Sequence, residues 1–328
     1  MKFRCNNLLV TGGSGFIGSN FIEYILKKYK NLKVYNLDNL TYAGNVSNTK
    51  QFNNNKDYTF IKGNICDGSL LNDVFSQYQI DGVINFAAES HVDNSINNPN
   101  IFVKTNVLGV LELMKAACNF WLDKNHIYKK EFQRSRFHQI STDEVYGSIN
   151  KGSFKEGDNY RPNSPYSASK GAADLLVRSF NKTYGLNTTI SISSNNFGKN
   201  QNNEKFIPKI LDCISSNFEI PVYGNGSNIR DWISVEDNCS AIDLIFNNSK
   251  SGEKFNVGAN NELTNLELIK IISKIMSMDL RINFIEDRKG HDFRYSLDTK
   301  KIRKELNWVP KNNFKNSLKN YIKYYKSK

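Results

Sequence analysis

The glycine-rich segment from Gly12 to Gly18 (Gly-Gly-Ser-Gly-Phe-Ile-Gly) limits the possible folds of this chain more than any other feature. It follows a short apolar run, Leu8 to Thr11, and opens a segment with helical periodicity, Phe16 to Lys28. Between a strand and a helix, glycines at these positions permit a tight turn and let the backbone approach a pyrophosphate. The N-terminus of the helix offers unpaired N–H groups and a favourable dipole to the phosphates.

Asp38 adds to this evidence for a dinucleotide site. It stands at the end of a second strand candidate, Val34 to Leu37, roughly 20 residues after the glycines. A carboxylate at this place can accept hydrogen bonds from the ribose hydroxyls. It would repel a 2′-phosphate, so the sequence predicts NAD rather than NADP as the cofactor. The alternative is a glycine-rich turn without a ligand, which the combination of strand, helix and acid disfavours.

Strand and helix candidates alternate along the first part of the chain. The strand candidates are 58–61, 82–86, 137–140 and 188–193, and the helix candidates between them include 70–78 and 106–121. This alternation predicts an α/β fold with a Rossmann-type doubly wound parallel sheet. Beyond about residue 195 the alternation weakens, with helix candidates at 206–216, 266–276 and 318–325 and an extended segment at 221–223.

The weaker alternation predicts a smaller mixed α/β lobe after the first domain. We place the NAD-binding domain at residues 1–194 and the smaller lobe at 195–328. The segment near 231–258 is expected to return to the first domain. No low-complexity linker separates the two parts.

Composition excludes several classes of protein. The chain has 328 residues, 39% of them hydrophobic, and no stretch approaches the ~18–20 apolar residues of a membrane helix. The formal charge of +12 comes from dispersed Lys and Arg residues, which disfavours a nucleic-acid partner. The five cysteines are scattered and lack metal spacing, so we expect reduced thiols, no metal site and a cytoplasmic location.

Two short motifs carry the chemistry: Ser141 to Gly147 (Ser-Thr-Asp-Glu-Val-Tyr-Gly) and Tyr166 to Lys170 (Tyr-Ser-Ala-Ser-Lys). The spacing of Tyr166 and Lys170 puts both side chains on one face of a helix. A nearby ammonium lowers the pKa of a phenol. Tyr166 could then accept a sugar hydroxyl proton while a hydride leaves that carbon for NAD, and Lys170 would also hold the nicotinamide ribose. Exposed helices often carry such pairs by chance, but the upstream glycine segment favours the catalytic interpretation.

Together these motifs resemble the extended short-chain dehydrogenase/reductases. The Thr-Asp-Glu motif is similar to that of the nucleotide-sugar 4,6-dehydratases, which act on dTDP-glucose or UDP-glucose. The resemblance extends over nearly the whole chain. Its motifs are Asp38 to Asn45, Ala87 to Asp93, Ser141 to Gly147, Tyr166 to Lys170, Asn195 to Gly198, Gly224 to Trp232, Asn256 to Gly258 and Asp287 to Tyr295.

The resemblance implies catalytic roles for Thr142, Asp143, Glu144, Tyr166 and Lys170. After oxidation at C4 of the glucosyl unit, Glu144 would remove the C5 proton and Asp143 would protonate the departing C6 oxygen. Thr142 would hold the C4 oxygen. Two adjacent carboxyls can do this only if one stays protonated, which burial and mutual repulsion promote. The plain alternative is that both acids cap the following segment.

The resemblance also implies two sets of binding residues. Those expected at NAD are Gly12, Gly15, Phe16, Ile17, Gly18, Asp38, Asn39, Thr41, Asn64, Ile65, Ala87, Ala88, Thr105, Tyr166, Lys170 and Asn196. Those expected at the nucleotide sugar are Ser90, Thr142, Asn195, Glu204, Lys205, Tyr223, Arg230, Asn265 and His291. Arg230 is expected to pair with the diphosphate in bidentate geometry. Phe206 and Trp232 are expected in the core rather than against the base.

Some positions depart from the family pattern. Asn64 stands where the family usually has Asp, and Asn94 where dTDP-sugar enzymes commonly have Arg; Phe197, Lys199 and Lys289 also differ. Thymine and uracil therefore both remain open. A 4-epimerase, which needs no acid/base pair at C5 and C6, and a non-catalytic nucleotide-sugar-binding protein are the alternatives. Family members are commonly homodimers, so we expect one here, through the 106–121 helix and the apolar face of Ala172 to Val177.

Overall fold

The computed structural model describes residues 3–327. Its strands are β1 (Asn7–Thr11), β2 (Lys33–Asp38), β3 (Tyr58–Lys62), β4 (Gly82–Asn85), β5 (Arg136–Thr142), β6 (Thr188–Ser193), β7 (Asn195–Phe197), β8 (Ile220–Tyr223), β9 (Ile229–Ser234), β10 (Glu253–Val257), β11 (Glu262–Thr264) and β12 (Ile282–Ile285). Its α-helices are α1 (Phe16–Lys28), α2 (Gly68–Tyr78), α3 (Val92–Asn97), α4 (Pro99–Phe102), α5 (Gly109–Trp121), α6 (Pro165–Tyr184), α7 (Phe206–Ser215), α8 (Val235–Asn248), α9 (Asn265–Met276), α10 (Lys300–Leu306) and α11 (Phe314–Lys326).

A seven-stranded sheet forms the centre of the molecule, and all of its strand pairs are parallel. The strand order is β3-β2-β1-β4-β5-β6-β10. Apolar side chains pack on both faces of the sheet, as a parallel sheet requires. This confirms the predicted Rossmann-type fold. The order reverses between β1 and β4, and ligands of such sheets bind at the carboxyl ends of the strands beside that point.

Helix α6 begins at Pro165, one residue before the start at Tyr166 that the sequence suggests, because its first turn is strongly capped. Ser164 and Ser167 form a capping box, in which each side chain bonds the backbone of the other residue. Pro165 occupies the first helical position, and Gly185 ends the helix with φ +68°. Tyr166 therefore lies in the first turn of α6, directly beside the carboxyl end of β5.

The helix predicted from residue 106 to 121 begins differently in the structure. A π-helical segment covers Val103–Leu108, and α5 follows from Gly109. Buried Asn106 accounts for the wider turn. Its side chain accepts from Glu89 N at 2.8 Å and donates to Glu89 O at 3.0 Å and to Ser169 Oγ at 2.8 Å. The irregular segment thus anchors the loop after β4 to helix α6.

The second half of the chain builds two small sheets and one more strand of the large sheet. Strands β7, β9 and β11 form a three-stranded sheet, and β8 pairs with β12. Helices α7, α9 and α11 bury their apolar faces in a common core beside them. Strand β10, after α8, pairs with β6 at the edge of the large sheet. The division at residues 194 and 195 stays a prediction. No helix within residues 3–327 is both long enough and apolar enough to cross a membrane.

Candidate active site

A cavity of about 400 Å³ lies at the point where the strand order of the large sheet reverses. This volume is within the usual range for small-molecule sites, about 300–1,000 Å³. All sixteen residues predicted at the cofactor line this cavity, and so do the five predicted catalytic residues. Sequence reasoning did not name several further lining residues, namely Glu89, Lys104, Ser193, Ser194, Gln201 and Asn202. Ser193 and Ser194 directly precede the Asn195-Asn196 pair, and Glu89 lies in the motif from Ala87 to Asp93, so the motifs could have indicated these three.

The glycine turn leaves no room for side chains at two of its positions. Gly12 has φ +68°, and an added Cβ would lie 2.6 Å from Ala87 N. A Cβ at Gly18 would lie 2.4 Å from Gly12 O. At Gly15, which caps the N-terminus of α1, the nearest atoms are Gly12 O at 3.2 Å and Ala43 O at 3.9 Å. The turn therefore brings α1 close to β1 and β4 and leaves the face of Gly15 open to a phosphate.

Asp38 is held in place by backbone N–H groups on both of its oxygens. Oδ2 accepts from Ser14 N at 2.9 Å, and Oδ1 accepts from Leu40 N at 2.8 Å. Burial raises the pKa of Asp38, and these two hydrogen bonds oppose the rise. Each oxygen keeps a further lone pair, so the fixed carboxylate suits a pair of ribose hydroxyls. Asn64 Oδ1 accepts from Cys66 N at 2.9 Å, which leaves its NH₂ group to face the cavity.

The Thr142–Asp143–Glu144 motif forms the junction between β5 and a short 3₁₀ turn, Asp143–Tyr146. Thr142 caps this turn, because its hydroxyl accepts from Glu144 N at 3.4 Å and donates to Asp143 Oδ1 at 3.2 Å. The two acids themselves cap nothing. Asp143 is 3% exposed, and its Oδ2 has no hydrogen-bond partner within the described structure. The motif thus presents an unpaired carboxyl oxygen and a second carboxylate at the cavity.

The surroundings separate the pKa values of the two neighbouring acids. Burial and the charge of Glu144 raise the pKa of Asp143 well above its ordinary value, which favours the protonated form. Burial also raises the pKa of Glu144, but the cations Lys205, Arg230 and Arg288 oppose that rise. Glu144 is therefore the member of the pair whose ionised form is supported. When the pKa values of two neighbouring carboxyl groups differ in this way, one can serve as an acid and the other as a base.

Tyr166 and Lys170 lie one turn apart on α6 and are both buried. Lys170 Nζ donates to Ile140 O at 2.6 Å, and burial lowers its pKa to about 8. The protein raises the pKa of Tyr166, first by burial and then by the charge of Glu144, while the Thr142 hydroxyl opposes the rise. The expectation that the protein lowers this pKa is therefore wrong for the chain alone. Burial and the nearby carboxylates set the direction in the chain alone.

The residues predicted at the nucleotide sugar divide into two groups. Ser90, Thr142, Asn195, Glu204 and Lys205 line the cavity, and Lys205 Nζ donates to Ser90 O at 2.8 Å. The other four lie outside its lining, and these are Tyr223, Arg230, Asn265 and His291.

Arg230 is already held by backbone carbonyl groups. Its guanidinium donates to Ile229 O, Asp292 O and Phe293 O, and it lies 4.2 Å from the ring centroid of Tyr295. These bonds occupy donors that the predicted bidentate pairing with a diphosphate would use. Its charge nevertheless reaches both Asp143 and Glu144.

Arg288 is a residue of this region that sequence reasoning did not single out, although it lies in the quoted motif from Asp287 to Tyr295. Its Nε lies 2.6 Å from Asp93 Oδ1, and its Nη2 donates to Asp93 Oδ2 at 2.9 Å. Its guanidinium also lies 4.8 Å from the ring centroid of Tyr223, whose hydroxyl donates to Asp93. The pair joins α3 beside the large sheet to the loop after β12. Its charge acts on Glu144 together with those of Lys205 and Arg230.

Most departures from the family pattern lie away from the cavity. Asn94, Phe197, Lys199 and Lys289 are outside its lining in the described part of the chain. Phe197 is a core residue, and Lys199 Nζ contacts Glu23 Oε2 at 2.9 Å. Asn94 is exposed on α3, so it is a weak guide to the base. Phe206 and Trp232 both pack in the core beside β9, as predicted, but both also line the cavity.

Comparisons with known proteins agree with this geometry. The family model described as GDP-mannose 4,6 dehydratase matches residues 9–321. The dTDP-glucose 4,6-dehydratase of Haemophilus influenzae is 44% identical over 334 aligned residues, which cover 97% of each chain. The crystal structure of the dTDP-glucose 4,6-dehydratase of Streptomyces venezuelae with NAD and TYD bound superposes with a TM-score of 0.92 at 38% identity, covering 98% of this chain and 97% of that chain. The UDP-glucose 4-epimerase of Thermotoga maritima, solved with UDP-glucose, has a TM-score of 0.87 at 27% identity, covering 98% of this chain and 99% of that one.

Proposed function

Because this chain belongs to the GDP-mannose 4,6-dehydratase family, we infer that it is an NAD-dependent hydro-lyase acting on a nucleotide-diphosphate-glucose. The products are the nucleotide 4-keto-6-deoxyglucose and water. NAD, when bound, accepts a hydride from C4 of the glucosyl unit and later returns it to C6, so no net oxidation occurs. The glycine turn, Asp38 and Asn64 fit this cofactor by their geometry.

The residues divide the proton transfers among them. Tyr166 takes the proton of the C4 hydroxyl, and Thr142 and Lys170 orient that oxygen and the phenol. The ketone at C4 acidifies the C5 proton, which Glu144 removes. Asp143 gives its proton to the C6 oxygen, which leaves as water. When the hydride has reached C6, Glu144 returns a proton to C5. The proton that Tyr166 took from the C4 hydroxyl then passes to Asp143 by way of solvent, so both groups are restored and the sugar has lost one water.

The observation that carries this proposal is the contrast between Asp143 and Glu144. A 4-epimerase needs Tyr166 and Lys170 but has no step for an acid and a base at C5 and C6. Here burial favours a protonated Asp143 with an unpaired Oδ2, and three cations support an ionised Glu144 beside it. The fold alone would not discriminate, since one fold serves many reactions.

The same three cations fit the diphosphate of the substrate. Lys205 lines the cavity, and the charges of Arg230 and Arg288 reach the same carboxylate, Glu144. Because carbonyl groups bond the Arg230 guanidinium and Asp93 pairs with Arg288, the two arginines would act on a diphosphate through their charge, whereas Lys205 can contact it directly. We propose that Ser90, Asn195 and Glu204 contact the sugar, and that Tyr223, Asn265 and His291 form the outer wall toward the base.

The test is incubation with catalytic NAD and either dTDP-glucose or UDP-glucose, followed by mass spectrometry. Loss of one water without net NADH supports the 4,6-dehydratase. A product of unchanged mass would instead identify an epimerase, and binding without turnover of either sugar would indicate a non-catalytic protein. We propose dTDP-glucose as the preferred substrate, because the similar enzymes from Haemophilus influenzae and Streptomyces venezuelae carry that name.

We also propose a homodimer and a cytoplasmic location. Large apolar side chains are exposed on neighbouring elements: Ile101 on α4, Val103 and Leu108 on the π-helical segment and Leu175 on α6, between 42% and 59% exposed. The predicted face of Ala172 to Val177 is divided, because Ala173 and Val177 are buried in the chain's own core and Leu175 points outward. Scattered cysteines and the use of a nucleotide cofactor favour the cytoplasm.

Light scattering tests the dimer. Leu175→Arg should give a monomer, because an arginine would have to be buried without a partner at the contact. Ile127→Arg is the matched control, since Ile127 is 63% exposed on the loop after α5. A dimer that survives Leu175→Arg, or a wild-type monomer, would overturn this assembly.

A further inference from the structure

Asp174 is a buried carboxylate beside the catalytic residues that the reaction above does not use. It lies on α6 one turn after Lys170, and its side chain is 2% exposed. Its Oδ2 accepts from Ser141 Oγ at 2.5 Å and from Tyr160 OH at 3.1 Å. Its Oδ1 is buried and accepts no hydrogen bond within the described structure. A carboxylate so deeply buried is costly unless a charge compensates it.

Residues 140 and 141 connect Asp174 to the catalytic motif. Lys170 Nζ donates to Ile140 O, and Ser141 Oγ donates to Asp174, so two consecutive residues of β5 bond two residues of α6 that are one turn apart. Thr142, Asp143 and Glu144 follow immediately. These two bonds therefore fix how the 3₁₀ turn lies relative to Tyr166.

The groups around Asp174 identify the charge that it balances. Ser141 faces it from β5, Tyr160 from the loop before α6, Lys170 from its own helix and Lys254 from β10, and the phenol of Tyr146 lies near it. Lys254 lies 4.6 Å from the ring centroid of Tyr160, in a half-buried position. Burial lowers the pKa of Lys170, and Asp174 is the charge that opposes this. Lys170 depends on Asp174 more than Lys254 does, because Lys254 also has Glu156 nearby.

We propose that Asp174 is a positioning residue, whose carboxylate tethers the Thr142–Asp143–Glu144 turn to α6 and serves as the counter-ion of the Lys170 ammonium. It touches neither sugar nor cofactor. It acts through Lys170, which must stay charged to hold the nicotinamide ribose, and through Ser141, which holds the turn. The effect of Asp174 on catalysis rests on the proposed function, whereas its effect on NAD binding does not.

The test is the NAD dissociation constant measured by calorimetry between about pH 6.5 and pH 9.5. With Lys170 near its pKa of about 8, wild-type affinity should weaken as the pH rises through that value. In Asp174→Asn, which keeps the shape and the acceptor for Ser141, loss of the counter-charge should move this midpoint down by about one pH unit or more. Ser141→Ala breaks the tether but keeps the charge, so its midpoint should stay while turnover falls.

Asp237→Asn is the matched control for a buried carboxylate with a structural role. Asp237 lies in the first turn of α8, which Ser234 caps, and it accepts from Lys311 N and Asn312 N, far along the chain from the site. The Asp237→Asn variant should be less stable, with no change in the pH midpoint of NAD affinity. An unchanged midpoint in Asp174→Asn, or an equal shift in Ser141→Ala or Asp237→Asn, would refute the counter-ion role. Absence of sugar turnover in the wild type, with the midpoint shift intact, would overturn the proposed function instead.

Discussion

Replacing Glu144 by glutamine should separate the two halves of the reaction. The substitution keeps the size of the side chain and removes the carboxylate that would take the C5 proton. In the proposed mechanism, oxidation at C4 depends on Tyr166 and Lys170, which lie on a different element, α6. We therefore expect Glu144→Gln to bind NAD, to form NADH from the nucleotide-glucose, and to stop before water is lost.

Glu144→Gln should affect the two halves of the reaction in opposite directions, slowing proton removal at C5 and favouring oxidation at C4 at lower pH. A general base contributes about 10²–10⁴-fold, so turnover should fall by that factor, equal to about 3–5 kcal/mol of activation free energy. The charge of Glu144 is also the main charge that raises the pKa of Tyr166. Its removal lowers the pKa of the phenol, which must be deprotonated to act as a base. The acid limb of NADH formation should therefore move to lower pH in the variant.

A folding defect should not confuse this result. The pKa of Glu144 is raised in the folded protein, so its ionised form costs stability at neutral pH, and this cost disappears as the pH falls through the raised pKa. Glutamine removes the cost at every pH. The melting temperature of Glu144→Gln should therefore equal or exceed that of the wild type.

The assay combines rapid mixing with mass spectrometry. NADH absorbance follows oxidation at C4, and deuterium uptake at C5 from heavy water follows the base. Glu156→Gln is the matched control, because Glu156 is a half-buried carboxyl outside the cavity lining whose pKa burial also raises. It should keep full turnover. Normal turnover in Glu144→Gln, or a folded variant that binds NAD but forms no NADH, would refute the assignment.

Three further predictions follow from single contacts. Gly18→Ala places a Cβ 2.4 Å from Gly12 O and should abolish stabilisation of the protein by NAD in a thermal-shift assay, whereas Gly157→Ala, with no atom within 4 Å, should not. Tyr166→Phe should bind NAD but form no NADH with the sugar; retained hydride transfer would contradict its role. Burial lowers the pKa of His138 to about 3 from 6.5, so the unfolded state binds the proton first. The free energy of unfolding should therefore fall by about 2 kcal/mol between about pH 6.5 and pH 5 in urea titrations, and by less in His138→Gln.

Local patterns account for the parts of the fold that the sequence predicts well. Helix α1 begins and ends at the residues predicted, because a glycine turn precedes it and its apolar spacing is regular. The capping box and Pro165 act in the same local way at α6. The start of the helix that ends at Trp121 is predicted less well. Asn106 bonds the backbone of Glu89 and the hydroxyl of Ser169, and such distant contacts leave no periodic pattern.

In the site, too, the sequence predicts what depends on local patterns and misses what depends on contacts between distant residues. Residues of the cofactor set follow strand ends of one sheet, so the topology alone brings them to one cavity. The residues outside the cavity lining are placed instead by contacts between distant segments. Arg230 is bonded by the carbonyls of residues 292 and 293, and Arg288 by Asp93, and neither pairing can be read from spacing. For the same reason the role of Asp174 emerges only when β5 and α6 are seen side by side.

The position of the acid/base pair also suggests how substrate binding prepares it. Asp143 and Glu144 are consecutive on a tight turn. Burial and the charge of Glu144 raise the pKa of Asp143, whereas burial raises that of Glu144 and the charges of Lys205, Arg230 and Arg288 oppose the rise. Without substrate these cations keep Glu144 a weaker base. A bound diphosphate would neutralise them, and the pKa of Glu144 would then rise further. We therefore expect Glu144 to become a stronger base only when the nucleotide is bound, so that proton transfer does not occur in the absence of the sugar.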